Sequence, residues 1–138
     1  MDMNSFKYAI ICVDDDPLIL QTLNFQLTKT IDDRCVLLES FLYPEEALLT
    51  IQDLVDDGLN MIFIIVDYQM PKMNGAQFIR AVKDRYPDIP CLMLSGEANA
   101  IQIEELESDN LLFSFIGKPW NEINLKSAMQ PWLSKIKC

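Results

Sequence analysis

Histidine is absent from all 138 residues. That excludes Ser-His-Asp and Cys-His nucleophilic schemes, most zinc sites, and any phosphohistidine carried by this chain itself. Basic residues are scarce: 11 lysines and arginines stand against 21 aspartates and glutamates, a formal charge of −10. A field of that sign repels a phosphate backbone or an anionic bilayer, so direct nucleic-acid or membrane binding is not expected. The four cysteines, Cys12, Cys35, Cys91 and Cys138, show no CxxC spacing. Cys12 and Cys91 lie inside apolar runs, where a thiol behaves as a small core residue. A reducing cytoplasmic location fits this usage better than a disulfide framework. No apolar run approaches membrane-spanning length, and the opening MDMNSFKYAIICVDDD lacks the basic and apolar regions of a signal peptide.

What is present is enough apolar residue, 50% of the chain, for one domain with a sizeable core. Apolar runs alternate with helical patterns. Strands are predicted over Tyr8–Val13, Cys35–Ser40, Met61–Val66, Cys91–Ser95 and Leu111–Gly117. The first and third are nearly continuous in Ile and Val, as in parallel strands buried on both faces. Helices are predicted between them. The first begins at Pro17 with Asp16 as its N-cap, and the second runs from Pro44 to a stop at Gly58. The third starts at Gly75 and stops before Pro87. A shorter one covers AIQIEELES, and the last starts after Asn121 with Pro131 expected to kink or interrupt it. The order βαβαβαβαβα implies a parallel sheet with helices on both faces.

In such a sheet, ligands bind beyond the carboxyl ends of the strands. Four strands finish there in polar residues that packing does not explain. The first gives Asp14, Asp15 and Asp16, the third Asp67, the fourth Ser95 and Glu97, and the fifth Lys118 before Pro119. Each alone has an ordinary explanation as a cap or a turn residue; together they carry information. Two carboxylates a few ångströms apart repel by roughly 4 kcal/mol at an effective dielectric near 20. A hard divalent cation removes that penalty, and an oxygen-only set suits Mg²⁺. Lys118 supplies a point charge for one phosphoryl oxygen and Ser95 a hydroxyl donor for another. Such a site is balanced only with metal and phosphate, which is the logic of phosphoryl transfer.

With these residues in view, the chain resembles a response-regulator receiver domain, the bacterial partner of sensor histidine kinases in two-component signalling. The resemblance runs from about Lys7 to the last helix, on VDDDP, VDYQMPKMNG, MLSGEA and IGKPW in that order. It implies a flavodoxin-like doubly wound (βα)5 sandwich with strand order 2-1-3-4-5. Residues 1–138 would form one receiver domain, either stand-alone or the N-terminal part of a longer regulator.

By the same resemblance Asp67 takes a phosphoryl group from the phosphohistidine of a sensor histidine kinase or a histidine phosphotransfer protein. Asp15, Asp67 and the backbone carbonyl of Gln69 ligate Mg²⁺, and Asp14 acts mainly through a metal-bound water. Ser95 and Lys118 hold phosphoryl oxygens, and Phe115 with Ser95 forms the switch. The Lys118–Pro119 bond is expected to be cis. The signalling face would be the fourth helix, fifth strand and fifth helix, roughly residues 98–134. It would serve a downstream protein, a C-terminal output domain or a homodimer. The implied chemistry is limited to phosphorylation from small donors and self-dephosphorylation, so the protein is a signalling phospho-acceptor in the cytoplasm and not an enzyme. Gln69 and Glu97 stand where the family varies and tunes the phosphate's lifetime.

Two alternatives draw on the same residues. A phosphorylation-independent module would keep the fold without the chemistry. A haloacid-dehalogenase-type phosphatase would use Asp14 as nucleophile and Asp16 as acid/base, leaving Asp67 without a role.

Overall fold

Runs of branched apolar residues with no hydrophilic alternation are stable only as strands covered on both sides. In the computed structural model, which describes residues 6–96 and 100–138, these runs pair as a five-stranded parallel sheet in the order β2-β1-β3-β4-β5. The strands are β1 (Tyr8–Val13), β2 (Val36–Phe41), β3 (Asn60–Asp67), β4 (Cys91–Ser95) and β5 (Ser114–Gly117). Between and after them run α1 (Pro17–Thr28), α2 (Pro44–Asp56), α3 (Gly75–Arg85), α4 (Ala100–Ser108) and α5 (Glu122–Leu133). Fold and strand order are those the resemblance implied.

Alternate residues of each central strand serve opposite layers. Ile11, Val13, Ile64, Val66 and Met93 pack with α2, α3 and α4 through Ala47, Ile51, Phe78, Ile79 and Leu106. Ile10, Cys12, Phe63, Ile65 and Leu92 pack with α1 and α5 through Leu23, Leu27, Leu125 and Met129. This double coverage explains why the strands read as unbroken apolar runs.

The helix ends follow local chemistry. The Asp16 carboxylate accepts the Leu18 N–H at 2.9 Å to cap α1. Asn121 accepts from Ile123 at 2.7 Å to cap α5. Asn74 and Gln77 close a capping box at the start of α3. Gly58 ends α2 at φ 86°, the left-handed position that glycine fills at least cost.

Three expectations are corrected. The fifth strand starts at Ser114, not Leu111: Asn110 turns the chain at φ 57°, and Phe113 is the first residue there to reach Cys91 O, at 2.9 Å. Leu111 and Leu112 instead pack partly buried against the α2–α4 layer. Pro131 does not interrupt the last helix, which continues to Leu133. The reading of the cysteines as reduced also fails at one pair. Cys35 and Cys138 form a disulfide with Cα atoms 5.8 Å apart, while Cys12 and Cys91 are free and buried as expected. Glu97 and Ala98 lie outside the described residues. Among the described residues, no helix is long and apolar enough to cross a membrane.

Candidate functional site

Parallel pairing brings every strand's carboxyl end to one edge of the sheet. Val13 lies level with Val66, so Asp14 follows β1 just where Asp67 ends β3. Asp67 in turn is level with Leu94, which places Ser95 one residue beyond on β4, and Ser95 is level with Gly117 on β5. Lys118 follows, its N–H donating to Ser95 O at 2.8 Å. The Lys118–Pro119 peptide is cis. Trp120 donates to the Gln26 side chain at 2.8 Å and ties this loop to α1.

The side chains meet as the backbone requires. Carboxylate oxygens of Asp14, Asp15 and Asp67 all lie within 4.8 Å of one another. Lys118 Nζ reaches Asp14 Oδ2 at 2.8 Å and Asp67 Oδ1 at 2.9 Å. Asp14 is fully buried, Asp67 and Ser95 nearly so, and Asp15 is exposed at the rim. Three carboxylates against one ammonium leave two negative charges uncompensated. The donor set is oxygen only and partly open, a fit for a hard divalent cation that keeps several waters.

Burial is the leading cause that raises the Asp14 pKa to about 6, with the Asp67 charge adding to it and the Lys118 and Asp16 hydrogen bonds opposing. Burial likewise raises Asp67, against the pull of Lys118. Burial alone would lower the Lys118 ammonium, but its bonds to Asp14 and Asp67 outweigh that and hold its pKa above the ordinary value.

A pH dependence follows. The folded protein binds the Asp14 proton more tightly than an unfolded chain does, with an ordinary value of 3.8. The stability this adds is fully present below 3.8 and lost as pH rises through about 6, on the order of 3 kcal/mol. The metal-free protein is therefore expected to show a higher urea midpoint at about pH 5 than at about pH 7. A midpoint that rises over that interval would contradict the assignment of a buried, proton-retaining Asp14.

The β3–α3 loop aims Asp67. Met73 N–H donates to Pro71 O at 2.7 Å across Lys72, whose φ of 69° makes a tight three-residue turn. Gly75 N–H donates to Tyr68 O at 2.8 Å. The left-handed residue of this loop is thus Lys72. Gly75 is needed for another reason: a Cβ there would lie 2.5 Å from Asp67 O and 2.9 Å from Tyr68 Cα. This backbone-to-backbone approach beneath Asp67 was not visible in the sequence. Nor was the direct Asp14–Lys118 pair, whose members are 104 residues apart.

The structure brings Asp14, Asp15, Asp67, Ser95 and Lys118 to one edge. Gln69 is exposed in the loop just past Asp67, and Phe115 points outward from β5, 40% exposed. The phosphatase alternative loses its acid/base, because the Asp16 carboxylate is engaged in capping α1.

A family model described as the response regulator receiver domain matches residues 10–130. The two-component response regulator ARR21 of Arabidopsis thaliana is 30% identical over 128 residues, covering 93% of this chain and 19% of that protein. The hydrogenase transcriptional regulatory protein HoxA of Cupriavidus necator is 27% identical over 116 residues, 84% of this chain and 22% of its own length. The chain thus spans about a fifth of the length of the curated relatives it matches. Among solved structures, the chemotaxis response regulator CheY4 of Vibrio cholerae superposes with a TM-score of 0.72 at 27% identity. That alignment covers 91% of this chain and 98% of the other.

Proposed function

Because the chain belongs to the response regulator receiver domain family, we propose that Asp67 is its phospho-acceptor. The donor is the phosphohistidine of a sensor histidine kinase or a histidine phosphotransfer protein. An Asp67 carboxylate oxygen attacks the phosphorus, the bond from phosphorus to the histidine nitrogen breaks, and an acyl phosphate remains. Asp67 is suited to this because β3 and the Gly75 contact hold its backbone rigidly while its carboxylate stays at the edge of the sheet.

Asp14, Asp15, Asp67 and the Gln69 carbonyl form the cation site, with Asp14 acting mainly through water. When bound, Mg²⁺ supplies the positive charge that this crowded carboxylate set lacks. Lys118 then turns from the Asp67 carboxylate to a phosphoryl oxygen, and Ser95 donates its hydroxyl to another. Movement of Ser95 opens space for Phe115 to turn inward, a packing change that biases the α4–β5–α5 face. Phe115 and Ile123, 40% and 72% exposed, give that face an apolar surface for a downstream protein, an output domain or a second copy. Turnover is limited to uptake from small donors and slow self-hydrolysis. Residues 1–138 act as one cytoplasmic receiver domain, stand-alone or at the N-terminal end of a longer regulator.

The observation that carries this reading is Lys118 bridging Asp14 and Asp67 inside a set of three converging carboxylates. Incubation with acetyl phosphate and Mg²⁺ is expected to add the mass of one phosphoryl group, and omission of Mg²⁺ to prevent it. Equal uptake with and without Mg²⁺ would overturn the cation's role, and no uptake with it would favour the phosphorylation-independent module.

A further inference from the structure

The disulfide lies at the opposite end of the molecule from Asp67. Cys35 immediately precedes β2, level with the start of β1, whereas the acidic set sits where the strands end. Both cysteines are held by their surroundings. Cys35 O accepts the N–H groups of Lys7 and Tyr8 at 2.9 and 3.1 Å, and its own N–H donates to Asp32 O at 3.2 Å. The Tyr8 hydroxyl accepts the Lys137 N–H at 3.1 Å and donates to Lys137 O at 3.3 Å. Tyr8 thus bonds to Cys35 through its backbone and to Lys137, the neighbour of Cys138, through its hydroxyl. Tyr8, Ile31 and Ile136 all pack partly buried against the core layer that contains Cys35. The two sulfurs meet although 103 residues separate them in sequence.

The remaining cysteines cannot substitute. Cys12 and Cys91 are wholly buried, and burial pushes both thiols up to about 12, far from the thiolate form that exchange requires. Cys138 is exposed and Cys35 nearly buried, so an attacking residue and a resolving residue are distinguished by position.

We propose that Cys35 and Cys138 form a reversible redox clasp that fixes residues 134–138 against the start of β1 and β2 and frees them on reduction. In the forward direction the Cys138 thiolate attacks one sulfur of a small disulfide such as oxidised glutathione. A mixed disulfide forms and one glutathione leaves. The Cys35 thiolate then attacks the Cys138 sulfur and expels the second glutathione. Two protein thiols are oxidised, one glutathione disulfide is reduced to two thiols, and the two protons pass to the leaving sulfurs. The clasp holds the end of α5, the helix whose other end follows Lys118, yet it touches none of the phospho-acceptor residues. It does not depend on the reading of Asp67.

The test uses the full chain, equilibrated with oxidised or reduced glutathione and then alkylated under native conditions. The oxidised protein is expected to take no label until it is denatured, when Cys12 and Cys91 react. A non-reducing digest is expected to join the Cys35 and Cys138 peptides. The reduced protein is expected to label at Cys138 first and to be cut faster by trypsin after Lys135 and Lys137. C138S, a change at an exposed position, is expected to be cut by trypsin at the reduced protein's rate under both conditions, and Asp67 uptake of phosphate is expected to be the same in all forms. Equal labelling of Cys138 in both conditions, or a digest joining Cys138 to any other cysteine, would overturn the pairing. A bond that persists in excess reduced glutathione would overturn its reversibility and leave a permanent staple.

Discussion

Replacing Lys118 with alanine is expected to cost the metal-free protein about 3 kcal/mol at neutral pH, the low end for breaking a buried ion pair. Lys118 lies 2.8 Å from Asp14 and 2.9 Å from Asp67, and both carboxylates are largely withdrawn from water. Without the ammonium they face each other and Asp15 with no countercharge. The low end applies because the site opens to solvent at Asp15 and the Lys118 side chain itself is 18% exposed. Two conditions should reduce the loss, and they separate this cause from simple loss of packing. Lowering pH below the Asp14 value of about 6 lets that carboxyl take up a proton. Adding Mg²⁺ supplies another countercharge. Urea denaturation at constant slope measures all three states. A loss unaffected by both pH and Mg²⁺ would mean that Lys118 matters through its methylene stem and not its charge.

Gly75→Ala is expected to destabilise by about 3 kcal/mol, the upper end for forcing a methyl group into a closed contact. The new Cβ would fall 2.5 Å from Asp67 O and 2.9 Å from Tyr68 Cα. Both are backbone atoms, so relief requires moving the segment that carries Asp67. A displacement near 1 Å at a reacting group costs on the order of a hundredfold in rate, so phosphoryl uptake should fall by about that factor. Gly58→Ala is the matched control. Gly58 has φ 86° but nothing within 4 Å of an added Cβ. Its substitution should cost about 1 kcal/mol from backbone strain and leave phosphoryl uptake unchanged. If the two variants lose uptake equally, the close approach beneath Asp67 is not what positions it.

The contrast between these glycines shows what the sequence could and could not disclose. Gly58 was legible because a glycine after a helical pattern is a local signal. Gly75 was legible only as the start of the third helix, since its neighbour beneath Asp67 is fixed by how the β3–α3 loop folds back. The same division holds elsewhere. Asp16 and Asn121 were identifiable as caps from the residues following them, and both strand β1 and strand β4 have the bounds that their apolar runs implied. The start of β5 was misplaced because Leu111 and Leu112 are as apolar as a strand but bury against the α2–α4 layer instead. Cys35 and Cys138 carry no local mark of pairing, and only the path of the chain after α5 brings them together.

The acidic site was more legible than these because parallel topology is a strong constraint. Once every strand is parallel, the residues following β1, β3, β4 and β5 must share an edge. What topology could not supply was the partition of burial within the set. Asp14 is the enclosed member bonded to Lys118, and Asp15 is the exposed one.

The most direct measurement is to locate the phosphorylated residue. After brief treatment with acetyl phosphate and Mg²⁺, borohydride reduces an acyl phosphate to an alcohol, and mass spectrometry of the peptides then finds the converted aspartate. Conversion at Asp67, with none in the Asp67→Asn variant, is the result predicted. Conversion at Asp14 or Asp15 in the unaltered protein would contradict it, since the nucleophile would then stand on β1's side of the site.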